Sequence, residues 1–177
     1  MNRAAFMGRN GVINPLPREN IIDMGNYQLF PDAEKALTRL AQAGGYFLCV
    51  LENEKYAPHL DIEGSVRTVH DIIRGNVFGQ MAFRFCMHSP AEKCECRLPK
   101  TQQIDILNGI YKFDLADSLM IAGRQREVKA AENAGIGHIV RVSTGRGDWS
   151  EGSEQYPMYE SLTEAVDAVL EKVACLA

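Results

Sequence analysis

Several things are scarce in this chain of 177 residues, and each scarcity closes off a class of protein. No apolar run approaches the ~20 residues that a membrane-spanning helix needs. No block of Lys and Arg occurs. The 19 basic residues are outnumbered by 23 acidic ones, for a formal net charge of −4, so a nucleic-acid partner is not expected. The apolar start, Ala4 to Met7, stops at Gly8-Arg9-Asn10 and is too short for the hydrophobic region of a signal peptide. A cytoplasmic location is therefore expected, with no membrane partner. No internal repeat or low-complexity segment is evident. Cysteines number only five, and they are clustered, not spread: Cys86, Cys94 and Cys96 fall close together, while Cys49 and Cys175 stand apart. An odd, clustered set argues against a disulfide framework and for a metal site.

What is present is ordinary globular material: 46% hydrophobic and 24% charged residues. The length suits one domain, 1–177, and a chain of this size buries about 70% of its unfolded surface without cross-links. Apolar runs at 3–7, 46–51, 80–85, 118–121 and 138–142 read as strands. The last of these is the last clear strand in the chain. Between them lie helical patterns. One starts at Pro31-Asp32 and carries Ala33, Ala36, Leu37, Leu40 and Ala41; a second, over 61–74, carries Val66, Val69, Ile72 and Ile73. Further helices are expected over 101–111, 127–133 and 161–173. Residues 14–30, with Pro15, Pro17 and Gly25, read as a long loop, as does the Gly- and Ser-rich stretch 144–155. Strands alternating with helices give an α/β three-layer sandwich with a mainly parallel sheet. Ligands in such sheets sit beyond the carboxyl ends of the strands, which directs attention to the loops after Met7, Leu51, Phe85 and Ile121.

The sharpest motif follows the third strand. Cys86-Met87-His88, five residues, then Cys94-Glu95-Cys96 gives C-x-H-x5-C-x-C. Three thiolates and one imidazole form a common tetrahedral zinc set, and four protein ligands leave no open position, so a structural Zn²⁺ is expected in loop 86–96.

This loop, the Arg97-Leu98-Pro99-Lys100 that follows it, Phe30-Pro31-Asp32, Ala43-Gly44-Gly45-Tyr46 and Ala134-Gly135 together resemble a known family. They are similar to the D-glycero-D-manno-heptose-1,7-bisphosphate phosphatases and histidinol phosphatases of the haloacid-dehalogenase (HAD) superfamily. The resemblance covers about residues 3–147. It implies a HAD-like Rossmannoid fold with a minimal cap and a zinc-binding loop. It also implies phosphomonoester hydrolysis by a strand-end Asp nucleophile, an Asp acid/base two residues later, a Thr or Ser and a Lys on the phosphate, and acidic ligands for Mg²⁺.

At most of those points the sequence departs from the family. The nucleophile position is Gly8, the acid/base position is Asn10, and the usual Thr after Gly11 is Val12. The phosphate-binding hydroxyl is replaced by Glu52, next to a matching Asn53, and the Gly-Asp pair by Ala122-Gly123. Glu127 alone remains near the second acidic position. Arg97 and Lys100 persist. The expectation is a catalytically degenerate, zinc-binding pseudoenzyme with little use for Mg²⁺. Asn53, Arg97, Lys100 and Glu127 are the ligand-binding candidates, and the partner is either another protein or a sugar-phosphate-like small molecule. Glu52 is expected to pair with Lys100. Two alternatives stay open: altered chemistry using Glu52, Glu54 or Glu127, and a weak residual sugar-phosphate phosphatase. His59, His70 and His138 read as isolated, Cys49 as a buried apolar residue, and Cys175 as exposed. Trp149 reads either as a loop anchor or as part of a partner surface.

Overall fold

The computed structural model describes residues 2–17, 24–25, 27–54 and 60–176; His59 and parts of the 14–30 loop lie outside the described residues. Six parallel strands form one sheet: β1 (Arg3–Gly8), β2 (Tyr46–Asn53), β3 (Met81–Cys86), β4 (Leu119–Ala122), β5 (His138–Val142) and β6 (Met158–Tyr159). Their order is β3-β2-β1-β4-β5-β6. Between them run helices α1 (Ala33–Gln42), α2 (Ile62–Asn76), α3 (Gln102–Tyr111) and α4 (Gln125–Ala134), and α5 (Leu162–Leu176) closes the chain.

The central strands are apolar throughout because both of their faces are covered. Ala5, Met7, Leu48, Val50, Leu119, Ile121, Val140 and Val142 point one way, into a core shared with α1, α2 and α5. Ala4, Phe6, Cys49, Leu51, Met120, Ala122 and Ile139 point the other way, toward α3 and α4. Alternate side chains of a strand face opposite sides, so continuous apolar runs are what a doubly covered parallel sheet requires. The helices bury the expected stripes: Ala33, Ala36, Leu37 and Leu40 in α1, and Val66, Val69 and Ile73 in α2. The Asp61 carboxylate caps α2 by accepting from the Gly64 amide at 2.9 Å.

Four details depart from the sequence reading. Ile72 is 37% exposed, because its position on α2 turns it off the buried stripe. β2 runs two residues beyond the apolar segment, since Glu52 and Asn53 continue the ladder opposite Phe85 and Cys86. α4 starts at Gln125, ahead of Glu127, whose side chain caps its first turn. The two-residue β6, too short for any periodicity to reveal, pairs with Arg141 and Val142 at the sheet edge.

The chain moves outward from β1 to β2 and β3, then returns to the other side of β1 for β4. The carboxyl ends of β1 and β4 therefore flank the switch point, where α/β sheets of this kind open a crevice. The turn that leaves β1 is tight. Gly11 has φ +86°, and a Cβ there would lie 2.8 Å from Gly145 Cα, so only glycine fits.

Candidate functional site

Two groups of polar side chains gather at the carboxyl side of the sheet. The first follows β3. Cys86 ends that strand. Ser89 to Glu92 form a 3₁₀ turn in which the Glu92 carboxylate accepts from the Ser89 amide at 2.6 Å. Lys93, at φ +47°, turns the chain back toward Cys94 and Cys96. The ligand atoms of Cys86, His88, Cys94 and Cys96 lie within 4.8 Å of one another. Cys86 and Cys94 sulfurs are 3.5 Å apart, as are those of Cys94 and Cys96, and His88 Nδ1 is 3.1 Å from Cys96 Sγ. A tetrahedron with Zn–S bonds of about 2.3 Å has edges of about 3.8 Å, so this donor set fits a zinc ion. The three cysteines are free thiols, with no disulfide among them.

Three of the ligand-binding candidates hold this loop in place. Asn53 grips the Leu98 backbone both ways, donating from Nδ2 and accepting at Oδ1, each at 2.9 Å. Arg97 Nη1 donates to the carbonyls of His88 at 2.9 Å and Glu54 at 3.3 Å. Lys100 Nζ donates to the Lys93 carbonyl at 2.9 Å and to Glu95 Oε1 at 2.7 Å. Gln103, which the sequence reading did not single out, is 1% exposed and links the loop to β2 through the carbonyls of Cys96 and Glu52.

The second group fills the switch-point crevice. Glu52, 1% exposed, accepts from the amides of Asn10 and Asn53, each at 2.9 Å, and pairs with Arg126 of α4. The expected Glu52–Lys100 pair does not form. Arg126 enters from the first turn of α4 and meets the buried carboxylate, while Lys100 stays at the surface with Glu95. A guanidinium is more weakly hydrated than an ammonium and is the better partner for a buried carboxylate.

Beside this pair lies an ionic network that the sequence reading missed. Arg9 is fully buried, with Nη2 2.8 and 3.0 Å from the two oxygens of Glu54. Its Nε donates to Asn10 Oδ1 at 3.4 Å, and its Nη1 lies 3.3 Å from His70 Nε2. His70, read as isolated, is 5% exposed and stacks on Phe83 with ring centroids 4.4 Å apart. Burial, followed by the positive charges of Arg9, Arg74 and Arg67, lowers its pKa to about 3, so it is a neutral acceptor. Burial raises Glu54 to about 7 against the pull of Arg9, with Glu52 adding to the rise.

Glu127 completes the crevice. It is fully buried, and its Oε2 accepts from the amides of Gly123 at 2.8 Å and Arg124 at 3.2 Å. Its carboxylate stands over Gly8: a Cβ on residue 8 would lie 2.6 Å from Oε1. Burial and then the charge of Glu52 push Glu127 up to about 7. Glu52, Glu54 and Glu127 are thus brought together, each held by its own partners. His138, Cys175 and Trp149 lie elsewhere. His138 and Cys175 are exposed, and Trp149 packs on the α3–α4 core under Arg141, with the guanidinium carbon 5.1 Å from the ring centroid, as a loop anchor would. No helix among the described residues is long and apolar enough to cross a membrane.

No family model matches the chain. Among curated proteins it is similar to the D-glycero-beta-D-manno-heptose-1,7-bisphosphate 7-phosphatase of Haemophilus ducreyi, 25% identical over 94% of this chain and 96% of that one. It is likewise 28% identical to the Helicobacter pylori protein of the same name, over 76% of this chain and 80% of that one. Among solved structures, the D,D-heptose 1,7-bisphosphate phosphatase of B. bronchiseptica, complexed with magnesium and phosphate, shares the fold. Its TM-score is 0.80 at 21% identity, covering 96% of this chain and 99% of that one. A Mesorhizobium loti protein described provisionally as a HAD-like phosphatase gives a TM-score of 0.76 at 20% identity, covering 97% and 87%. The six-stranded parallel sheet and the cysteine loop after β3 agree with these relatives: over most of its length the chain is similar in sequence to heptose-1,7-bisphosphate phosphatases and shares the fold of the solved one.

Proposed function

We propose that this chain is a zinc-binding, non-hydrolytic member of the heptose-bisphosphate phosphatase family of the HAD superfamily, whose cleft binds a small molecule or partner and does not cleave phosphate esters. The observation that carries this reading is Gly8 under Glu127. The position that the family resemblance gives to the nucleophile has no side chain, and a buried carboxylate stands where one would begin. Asn10 offers an amide in place of an acid/base, and Gly123 offers no metal ligand. Magnesium wants several hard oxygen ligands in octahedral order. Gly8, Asn10 and Gly123 supply no carboxylate, and Glu127 Oε2 is already taken by two backbone amides, so these residues do not fit that ion. Zinc is the metal we assign to Cys86, His88, Cys94 and Cys96, in a structural role that orders the loop.

The test is turnover of heptose 1,7-bisphosphate and of histidinol phosphate with added Mg²⁺. Rates at the buffer background are expected. Steady turnover that scales with enzyme and disappears in a Glu52→Gln or Glu127→Gln variant would replace this reading with one of altered chemistry. One observation favours that second reading: Glu54 and Glu127 are both raised to about 7, the range useful to a general acid or base. Both are, however, buried behind partners of their own, Arg9 for Glu54 and two amides for Glu127.

A further inference from the structure

A cavity lies at the amino ends of the strands, the length of the sheet away from the crevice and the cysteine loop. The strand register explains how it forms. Arg3 pairs with Tyr46 and Leu119 with His138, so the first residues of β1, β2, β4 and β5 make up that end of the sheet. Side chains alternate between faces. Ala5, Leu48, Leu119 and Val140 point toward α1 and α5, so Arg3, Tyr46 and His138 fall on that same face. Helix α5 runs back over it. The buried stripe of Leu162, Ala165, Val166 and Val169 continues into Lys172 and Val173 at the same helical spacing. There the helix faces the strand ends, and a cavity of about 310 Å³ opens between them, flanked by Tyr156 and Pro157 ahead of β6.

The walls of this cavity are apolar and its rim is charged. Leu119, Ile139, Val140 and Val169 are buried. At the rim, Arg3 and Lys172 stand against a single carboxylate, Asp117. Arg3 is engaged already: it donates to the Gly44 carbonyl, its guanidinium carbon is 4.4 Å from the Tyr46 ring centroid, and it lies 3.9 Å from Asp117. Lys172 is exposed and forms no ion pair among the described residues. The partial negative charge at the carboxyl end of α5 is confined to the last turn, beyond Lys172. An uncompensated cation therefore stands at the mouth of an apolar pocket.

We propose that this cavity binds a small monocarboxylate with an apolar body, its carboxylate on Lys172 and its body against Leu119, Val140 and Val169. Pockets for small ligands start at about 300 Å³ and combine apolar walls with a few placed polar groups. At about 30 Å³ for each water-sized group, the space suits a ligand of about ten non-hydrogen atoms. The site is remote from Gly8 and Glu127, so it does not depend on whether the crevice hydrolyses phosphate esters.

The experiment is a titration of the zinc-loaded full chain with octanoate, below its micellar concentration, followed by calorimetry and by amide chemical shifts. Octylamine, which carries the same chain on a cationic head, is the comparison. Octanoate is expected to saturate and to shift the amides of 137–140 and 169–173, with octylamine binding more weakly. Lys172→Glu should weaken octanoate about five- to tenfold, the scale of a reversed exposed charge contact. Val173→Trp, which fills the cavity, should abolish binding. The proposal is overturned by absence of saturable octanoate binding, by octylamine binding as tightly, by shifts confined to other parts of the chain, or by binding unchanged in Lys172→Glu. Should Val173→Trp not fold, Lys172→Glu, at an exposed position, decides together with the amide shifts.

Discussion

The cysteine loop after β3 and the crevice between β1 and β4 share one side of the sheet, but their polar groups are satisfied in different ways. In the loop, four ligand atoms lie within 4.8 Å of one another, a donor set that fits an ion. In the crevice, charges converge on one another: Arg9 on Glu54, Arg126 on Glu52, and the Gly123 and Arg124 amides on Glu127. The loop gathers a set of metal-ligand types. The crevice has largely closed around its own ion pairs, with Arg124 Nε, Arg126 Nε and Glu127 Oε1 among the buried atoms that lack a hydrogen-bond partner. The two regions also touch. Asn53 and Gln103 tie the loop backbone to the end of β2, where Glu52 sits, so the loop's order bears on the crevice.

Removing the metal from the loop breaks the comparison most severely. Cys94→Ser, or chelation of the parent protein, should lower the bound zinc from one ion per chain to none and unfold the loop, because the ion supplies its folding energy. Elemental analysis and hydrogen exchange of 86–98 check this; a disulfide among these cysteines, or a zinc-free protein with a rigid loop, contradicts it. In the crevice, Arg9→Ala should cost about 3–5 kcal/mol in urea unfolding, since it leaves Glu54 buried without its cation. A loss under about 1 kcal/mol would mean that the pair is far more hydrated than its burial implies.

Gly8→Asp should cost about 1–3 kcal/mol through contact with the Glu127 carboxylate. Glu127→Ala in the same chain should recover much of that, and additive effects in the double-mutant cycle would show that the two positions do not meet.

The smallest net effect is on pH dependence, where two contributions of opposite sign partly cancel. His70 is depressed to about 3 from 6.5, so the folded state binds fewer protons there and its contribution to stability rises between about pH 3 and 6.5. Glu54 and Glu127 are raised to about 7 from 4.5, so the folded state binds more protons and their contribution falls between about pH 4.5 and 7. Unfolding curves of His70→Phe should lose the rising part, and those of Glu127→Gln should lose part of the fall. Identical pH profiles for parent and variants would refute both assignments.

The sequence alone determined whatever depends on near neighbours. Apolar runs set the five longer strands, the i, i+3, i+4 stripes set the helices, and the spacing of Cys86, His88, Cys94 and Cys96 put four ligands within reach of one ion. It also named Gly8, Asn10, Glu52 and Gly123 as the positions where the pattern of the resembled family changes, and Glu127 as the acid that remains. Only the tertiary structure decided what those changes do. Arg9 looked like one residue of a loop until β2 and α2 brought Glu54 and His70 against it. Glu52 found Arg126, 74 residues away, in place of Lys100. Glu127 turned out to stand over Gly8 because β1 and β4 are neighbours in the sheet. Periodicity and spacing reach across a turn or a short loop. The pairing of buried charges depends on which strand ends lie side by side, and that is settled only when the whole sheet has formed and each desolvated charge has taken the nearest partner able to satisfy it.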